Sequence, residues 1–349
     1  MTVIKICSDC LLKNVYSHLI DDFENDAGEC AICGESVEKR LTIAPNTKLG
    51  KYIHAVSEFY CTFLDHITQQ PSSLSAISSQ IFSASVVGKQ IPKKIYDILR
   101  SNIGGTVSVF SDFQNGASPY SHSPPTAMSK VYYGFPRLRS EILDEYKKIS
   151  KHIEDYPNPQ EVFRARIGAC TDRNNLYDPP IPFEKDEIGA PPSDLSANGR
   201  LNRSGASCLY CANDIETAIH EVKPEIGDYV SIAKFKTKDN IKIANFFNVD
   251  LWKFYDEEFD TKTIRLFAGL MAILSYPKGS KNNSAYVASQ LLAENVMDDY
   301  DGMCYKSFYT GGINYVFFDP QVASYVANSS RCHMISRILI EHSGFEPLQ

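Results

Sequence analysis

Two cysteine pairs, Cys7-x2-Cys10 and Cys30-x2-Cys33, stand in a segment of about 45 residues that holds too few large apolar side chains to bury a core unaided. Nineteen residues separate the pairs, and Gly34 follows the second. That spacing predicts a four-cysteine zinc site over 1–45, because four soft thiolates can close tetrahedrally on one ion and a glycine after the pair lets backbone amides approach the sulfurs. Disulfides are the alternative. They need an oxidising compartment, and MTVIKICSDC shows no basic segment followed by an apolar stretch and a cleavage site, so the expectation is a cytoplasmic protein with reduced thiols. Four protein ligands leave no open position, which makes the expected zinc structural.

The remainder divides by pattern. Ile53, Val56, Phe59, Phe63 and Ile67 recur at helical steps, as do Ile142, Leu143, Tyr146, Ile149 and Ile153 after Ser140, so 46–157 reads as a helical adaptor or regulatory domain interrupted by Ser/Pro-rich loops at 69–79 and 115–125. YPNP at 156–159 ends the second helix, since each proline disfavours helical backbone at the residue before it. Beyond it strands and helices alternate. VFRARI reads as a strand, IETAIHEV as a helix, YVSIAKFKTKDNIKIANF as two strands, 262–275 and 284–297 as helices, and CYKSF and INYVFFDP as strands joined through Gly311 and Gly312. The predicted class is α+β over 158–325, with an extension at 326–349. No apolar run reaches the roughly 18 residues of a membrane span. A net charge of −7 gives no general attraction for a polyphosphate backbone, so nucleic-acid binding is disfavoured.

The chemistry concentrates in GRLNRSGASCLYCANDIETAIHEV, residues 199–222, where Arg200, Tyr210 and Glu221 follow one another at ten- and eleven-residue steps. A second stretch, DGMCYKSFYTGGINYVFFDP at 301–320, carries Ser307. Together they resemble the RES domain family: a Gly-Arg-x-Asn turn, a Leu-Tyr strand, a helix with Ala-x-x-Glu-Val, then an Asp-Gly turn, Tyr-x-Ser and Phe-Asp-Pro. VFRARIG at 162–168 maps Arg164 onto the arginine of the family's opening strand. The resemblance implies a fold similar to ADP-ribosyltransferases and toxin-like consumption of NAD+, with Glu221, Arg200, Tyr210 and Ser307 catalytic and Arg164, Arg200, Tyr210 and Ser307 binding substrate. It also implies an antitoxin or regulatory partner. The middle segment is similar to the HEPN-like helical domains attached to some RES proteins, but the Arg-then-His motif of their nuclease relatives is missing from 48–155.

These residue types suit that reaction. Nicotinamide leaves as a neutral ring, so the demand falls on stabilising a ribosyl oxocarbenium, which a preorganised carboxylate such as Glu221 can oppose. An arginine fork matches pyrophosphate oxygens, which suits Arg200 and Arg164, while Tyr210 offers a ring face for nicotinamide and Ser307 a hydroxyl. Taken singly, such an arginine and glutamate would be solvated surface and such a tyrosine core. Tyr305, Ser284 and Asn314 are further candidates, and the loop 178–193 is a candidate wall of the pocket. Cys208 and Cys211 lack a second pair and read as small apolar residues of a buried strand. No dinucleotide, NTPase or hydrolase-elbow motif is present. Three outcomes stay open: glycohydrolase or phosphorylase, mono-ADP-ribosyltransferase with a protein or nucleotide acceptor, and a non-enzymatic zinc-containing module.

Overall fold

A computed structural model of the chain describes residues 3–44, 47–50, 149–170, 180–247 and 286–338, together with Tyr52, Lys147, Val249, Trp252, Tyr255, Met271 and Leu274. The helix expected at 53–67, both Ser/Pro-rich loops, Ser284 and most of the expected 262–275 helix lie outside the described residues. Of the helix ending near Ile153, the described Lys147, Ile149 and Ser150 are helical. The chain divides into two units, 1–127 with 250–269 and 128–249 with 270–349.

In the first unit, β1 (Ile4–Ile6) and β5 (Arg40–Ile43) pair antiparallel and β2 (Phe23–Glu24) adds to β5, while β3 (Gly28–Glu29) and β4 (Ser36–Val37) form a separate hairpin. Alternation buries Ile4, Ile6, Leu41 and Ile43, and α1 (Lys13–Leu19) buries Val15 and Leu19. Tyr52, Trp252 and Tyr255 pack ring on ring beside His18, and Tyr255 donates its hydroxyl to Asp22. Side chains from beyond residue 250 thus complete a core that the first 45 residues lack.

The second unit is α+β. Its nine-stranded sheet comprises β6 (Asp155–Tyr156), β7 (Glu161–Ile167), β8 (Leu209–Ala212), β9 (Tyr229–Thr237), β10 (Ile243–Phe246), β11 (Gly302–Lys306), β12 (Ile313–Phe317), β13 (Ala323–Tyr325) and β14 (Arg331–Met334). The order is β13-β9-β7-β8-β12-β11-β10-β6, with β14 also on β9, and β10 runs parallel to β11. Period-2 alternation divides the faces. Val162, Leu209, Cys211, Phe235, Tyr315 and Phe317 bury one side, whereas Ala165, Ala212, Val230 and Ile232 pack with Ala218 of α2 (Ile215–Val222) on the other. The strands at 162–167, 229–237 and 243–246 and the helix at 215–222 fall where the periodicity predicts them.

Two junctions position the functional residues. β7 pairs along its whole length with β9 but meets β8 through one residue pair, Phe163 opposite Ala212, so the sheet parts there. The first turn of α2, N-capped by Asp214 through the Thr217 N–H (2.7 Å), docks on the β11–β12 turn through Thr217 Oγ1 and Thr310 Oγ1, 2.8 Å apart. Gly312 is required at that contact, because a Cβ there would lie 2.2 Å from Thr217 Oγ1. Gly312→Ala should therefore cost about 1–3 kcal/mol through overpacking, read as a lower urea midpoint at unchanged slope. An unshifted midpoint would show that the junction yields without strain.

Candidate functional site

Glu221 sits in the last turn of α2, which ends at Lys223 in left-handed backbone (φ 53°). Ser307, one residue past β11, donates to Glu221 Oε1 at 2.6 Å, and Asn314 of β12 donates to the same oxygen from Nδ2 at 2.7 Å. Oε2 accepts a hydrogen bond from none of the described residues. Two neutral donors on one oxygen fix the carboxylate's orientation. Two distant stretches of sequence converge here because the α2 junction brings the end of the helix against the β11–β12 hairpin.

Arg200 occupies a turn shaped by buried polar groups. Tyr210 donates its hydroxyl to Asn202 Oδ1 (2.7 Å) and accepts from the Leu201 N–H (3.0 Å). Asn202 Nδ2 in turn lies 2.9–3.3 Å from the Ser196 hydroxyl and the Ala197, Arg203 and Ala206 carbonyls. Gly199 allows the approach: a Cβ there would meet Asn202 Oδ1 at 2.1 Å and Tyr210 Oη at 2.8 Å. The Arg200 guanidinium lies 5.6 Å from the Tyr286 ring centre and 6.0 Å from that of Tyr305, within cation–π range. Burial pushes the hydroxyls of Tyr210 and Tyr305 well above the ordinary phenol range, so both stay neutral.

Arg164 stands at the parting of the sheet. Its Nε donates to the Ile188 carbonyl (2.6 Å) and its Nη1 to the Tyr210 carbonyl (2.9 Å), so a side chain bridges β7 and β8 beyond their one paired position. Burial lowers its pKa below the usual arginine value. Arg164, Arg200, Tyr210, Glu221, Tyr286, Tyr305 and Asn314 line one cleft of about 570 Å³. Ser307 acts on that cleft through Glu221 and is buried itself. The fold thus brings Arg164, Arg200, Tyr210 and Glu221 to a common cleft; none of the described residues of the 178–193 loop lines it, and Ile188, fully buried, meets it only indirectly by accepting from Arg164.

Sequence reasoning missed Tyr286 and Gln290 and gave Asn202 no role. Asn202 carried a signal as the last residue of Gly-Arg-x-Asn, whereas Tyr286 and Gln290 sit in a stretch with no local motif. Cys208 and Cys211 are buried free thiols, pushed up by burial to about 11 and about 12, in keeping with small apolar residues.

In the first unit, the sulfurs of Cys7, Cys10, Cys30 and Cys33 all lie within 4.8 Å of one another. Neighbouring sulfurs are 3.6 Å apart for Cys7–Cys10 and Cys7–Cys33 and 3.7 Å for Cys10–Cys30. A tetrahedron of thiolates at about 2.3 Å from a zinc ion has edges of about 3.8 Å, so the set fits one. The Cys7 amide (3.3 Å) and the Ile32 amide (3.5 Å) also point at Cys30 Sγ.

Tyr210→Phe separates ring from hydroxyl. It leaves Asn202 Oδ1 and the Leu201 N–H without their shared partner and should destabilise the second unit by about 1–3 kcal/mol in urea unfolding. Wild-type stability would mean the hydroxyl does not hold the turn.

Among the described residues no helix is long and apolar enough to cross a membrane. No curated protein matches the chain. Among solved structures, a chain of the M. tuberculosis MbcT–MbcA toxin–antitoxin complex aligns with 56% of this chain and 93% of its own length, at 10% identity and a TM-score of 0.32. Residues 177–335 match the family model for the RES domain. The stretch that holds Arg200, Tyr210, Glu221 and Ser307 is therefore a RES domain, with Arg164 upstream of the matched residues.

Proposed function

We propose that this protein cleaves NAD+ at its nicotinamide–ribose bond, as a glycohydrolase or phosphorylase. The observation that carries the reading is the Glu221 carboxylate on the cleft wall, anchored at Oε1 by Ser307 and Asn314, with Arg200 on the same cleft. A carboxylate already oriented needs little reorganisation as positive charge develops on the ribose, and removal from water strengthens the attraction. Arg200 would clamp the pyrophosphate with its fork of donors. Arg164 commits Nε and Nη1 to carbonyls, so it would add mainly positive charge and rigidity. Tyr210 would present its ring to the nicotinamide while its hydroxyl holds the turn, and Ser307 would act by holding Glu221. An activity that depletes NAD+ calls for restraint, and a protein antitoxin is the proposed partner.

Incubation of the full chain with NAD+, with and without phosphate, tests this. Free nicotinamide with ADP-ribose marks hydrolysis, its phosphorylated form marks phosphorolysis, and labelled protein without free product marks ADP-ribosyl transfer. Glu221→Gln should keep the affinity for NAD+ and lower turnover by about a hundredfold or more, because the charge is needed mainly in the transition state. Near-normal turnover in that variant, or no nicotinamide from the wild type, would overturn the reading.

We further propose that Cys7, Cys10, Cys30 and Cys33 hold a structural zinc ion, which would staple the N-terminal segment whose own apolar side chains make only part of the unit's core. Metal analysis should find one zinc per chain, and Cys30→Ser should lower it. Trp252, the single tryptophan, is buried in this unit beside His18, so its fluorescence should shift to the red when the metal is lost. Zinc-free protein with unchanged Trp252 emission would sink the assignment, and nicotinamide release should survive chelation because no cleft residue belongs to the set.

A further inference from the structure

Helix α3 (Val287–Val296) is buried along Leu291, Leu292, Ala293 and Val296, yet two polar residues near its start, Ser289 and Gln290, are as buried as its leucines, at 0% and 2% exposure. An aliphatic residue at 290 would serve the core without the loss of side-chain freedom and the desolvation that a buried amide brings. Its nitrogen end is the one engaged. Gln290 Nε2 donates to Asn198 Oδ1 (2.8 Å), the Gly199 carbonyl (2.8 Å) and the Asn202 carbonyl (3.0 Å). The two carbonyl partners decide which end of the side chain carries nitrogen. These acceptors flank Arg200 on both sides in sequence, so a single amide draws the two limbs of the turn together with Arg200 between them.

Neighbouring residues of α3 complete the grip. Ser289 donates its hydroxyl to the carbonyl of Arg200 itself (2.6 Å), and Glu294, one turn further on, accepts from Arg203 Nε. The backbone of Arg200 is held from α3 while its side chain stays at the cleft between the Tyr286 and Tyr305 rings. We infer that Gln290 is the positioning residue for Arg200, acting on substrate affinity through the turn and never touching the substrate. This rests on the reading of Arg200 as the clamp for the pyrophosphate of NAD+.

The test is a double-mutant cycle on the full chain, with KM for NAD+ and kcat measured for wild type, Arg200→Ala, Gln290→Glu and the double variant. Gln290→Glu is nearly isosteric and turns a donor into an oxygen that faces three acceptors. It should raise KM by about tenfold with a smaller effect on kcat, and the double variant should be no worse than Arg200→Ala alone, since the lost interaction is the same one. Gln290→Met, which keeps the volume without a donor, is the second variant and should behave alike. KM within about twofold of wild type in both Gln290 variants, when Arg200→Ala raises it, would overturn the inference while leaving the function intact. Losses that add in the double variant, or loss of the folded state in both Gln290 variants, would likewise assign Gln290 a role independent of Arg200. An unchanged KM in Arg200→Ala would instead remove the clamp reading and the positioning role with it.

Discussion

The buried amide of Asn202 is the interaction on which the cleft depends. Its Nδ2 is surrounded by four acceptors from residues 196–206, and its Oδ1 receives the Tyr210 hydroxyl. A segment with no regular secondary structure is thereby tied to the sheet at β8. A loop of this kind would ordinarily keep its backbone groups in water. Here side-chain amides replace the water, and the turn that presents Arg200 becomes as fixed as the strand beside it.

The same device appears where the sheet parts. β7 and β8 share one paired position, which leaves strand carbonyls to be satisfied by something other than a neighbouring strand. The Arg164 guanidinium takes the Tyr210 carbonyl, and its other described partner is the Ile188 carbonyl. An arginine can do this because its planar fork reaches several acceptors without a backbone following it. The cleft is lined from both sides of this parting, by Phe163–Ile167 of β7 and Tyr210–Ala212 of β8, with the bridging cation on its wall.

Legibility in the sequence followed range. Period-2 and helical patterns marked β7, α2, β9 and β10, and the order of Arg200, Tyr210 and Glu221 in their motifs marked the RES domain now supported by the match over 177–335. The convergence of Ser307 and Asn314 on one oxygen of Glu221 was not legible, because it depends on how the β11–β12 turn docks on α2, a contact between residues nearly a hundred positions apart. Gln290 was invisible for the same reason: nothing in VASQLLAENV says that its polar residues face a turn about ninety residues earlier. Trp252 and Tyr255 are the parallel case in the first unit, where the apolar content of residues 1–45 understated a core completed from elsewhere in the chain.

Each candidate residue, weighed singly, is better explained as ordinary structure, and the geometry shows why that judgement and the functional one do not compete. Tyr210 is a half-buried strand tyrosine whose hydroxyl braces a turn; Arg164 is a half-buried arginine that takes one strand carbonyl and one loop carbonyl; Ser307 is a buried hydroxyl that donates to Glu221. Their bonds are structural in kind, yet they bear on the orientation of Glu221 and the placement of Arg200, the two charged groups on which the proposed reading rests. Preorganisation of this type requires that supporting residues look like core, since a carboxylate or guanidinium held by mobile, solvated neighbours would have to reorganise during the reaction and lose the advantage of its position. The candidate chemistry of this cleft is therefore written less in the groups that face it than in the buried polar side chains behind them.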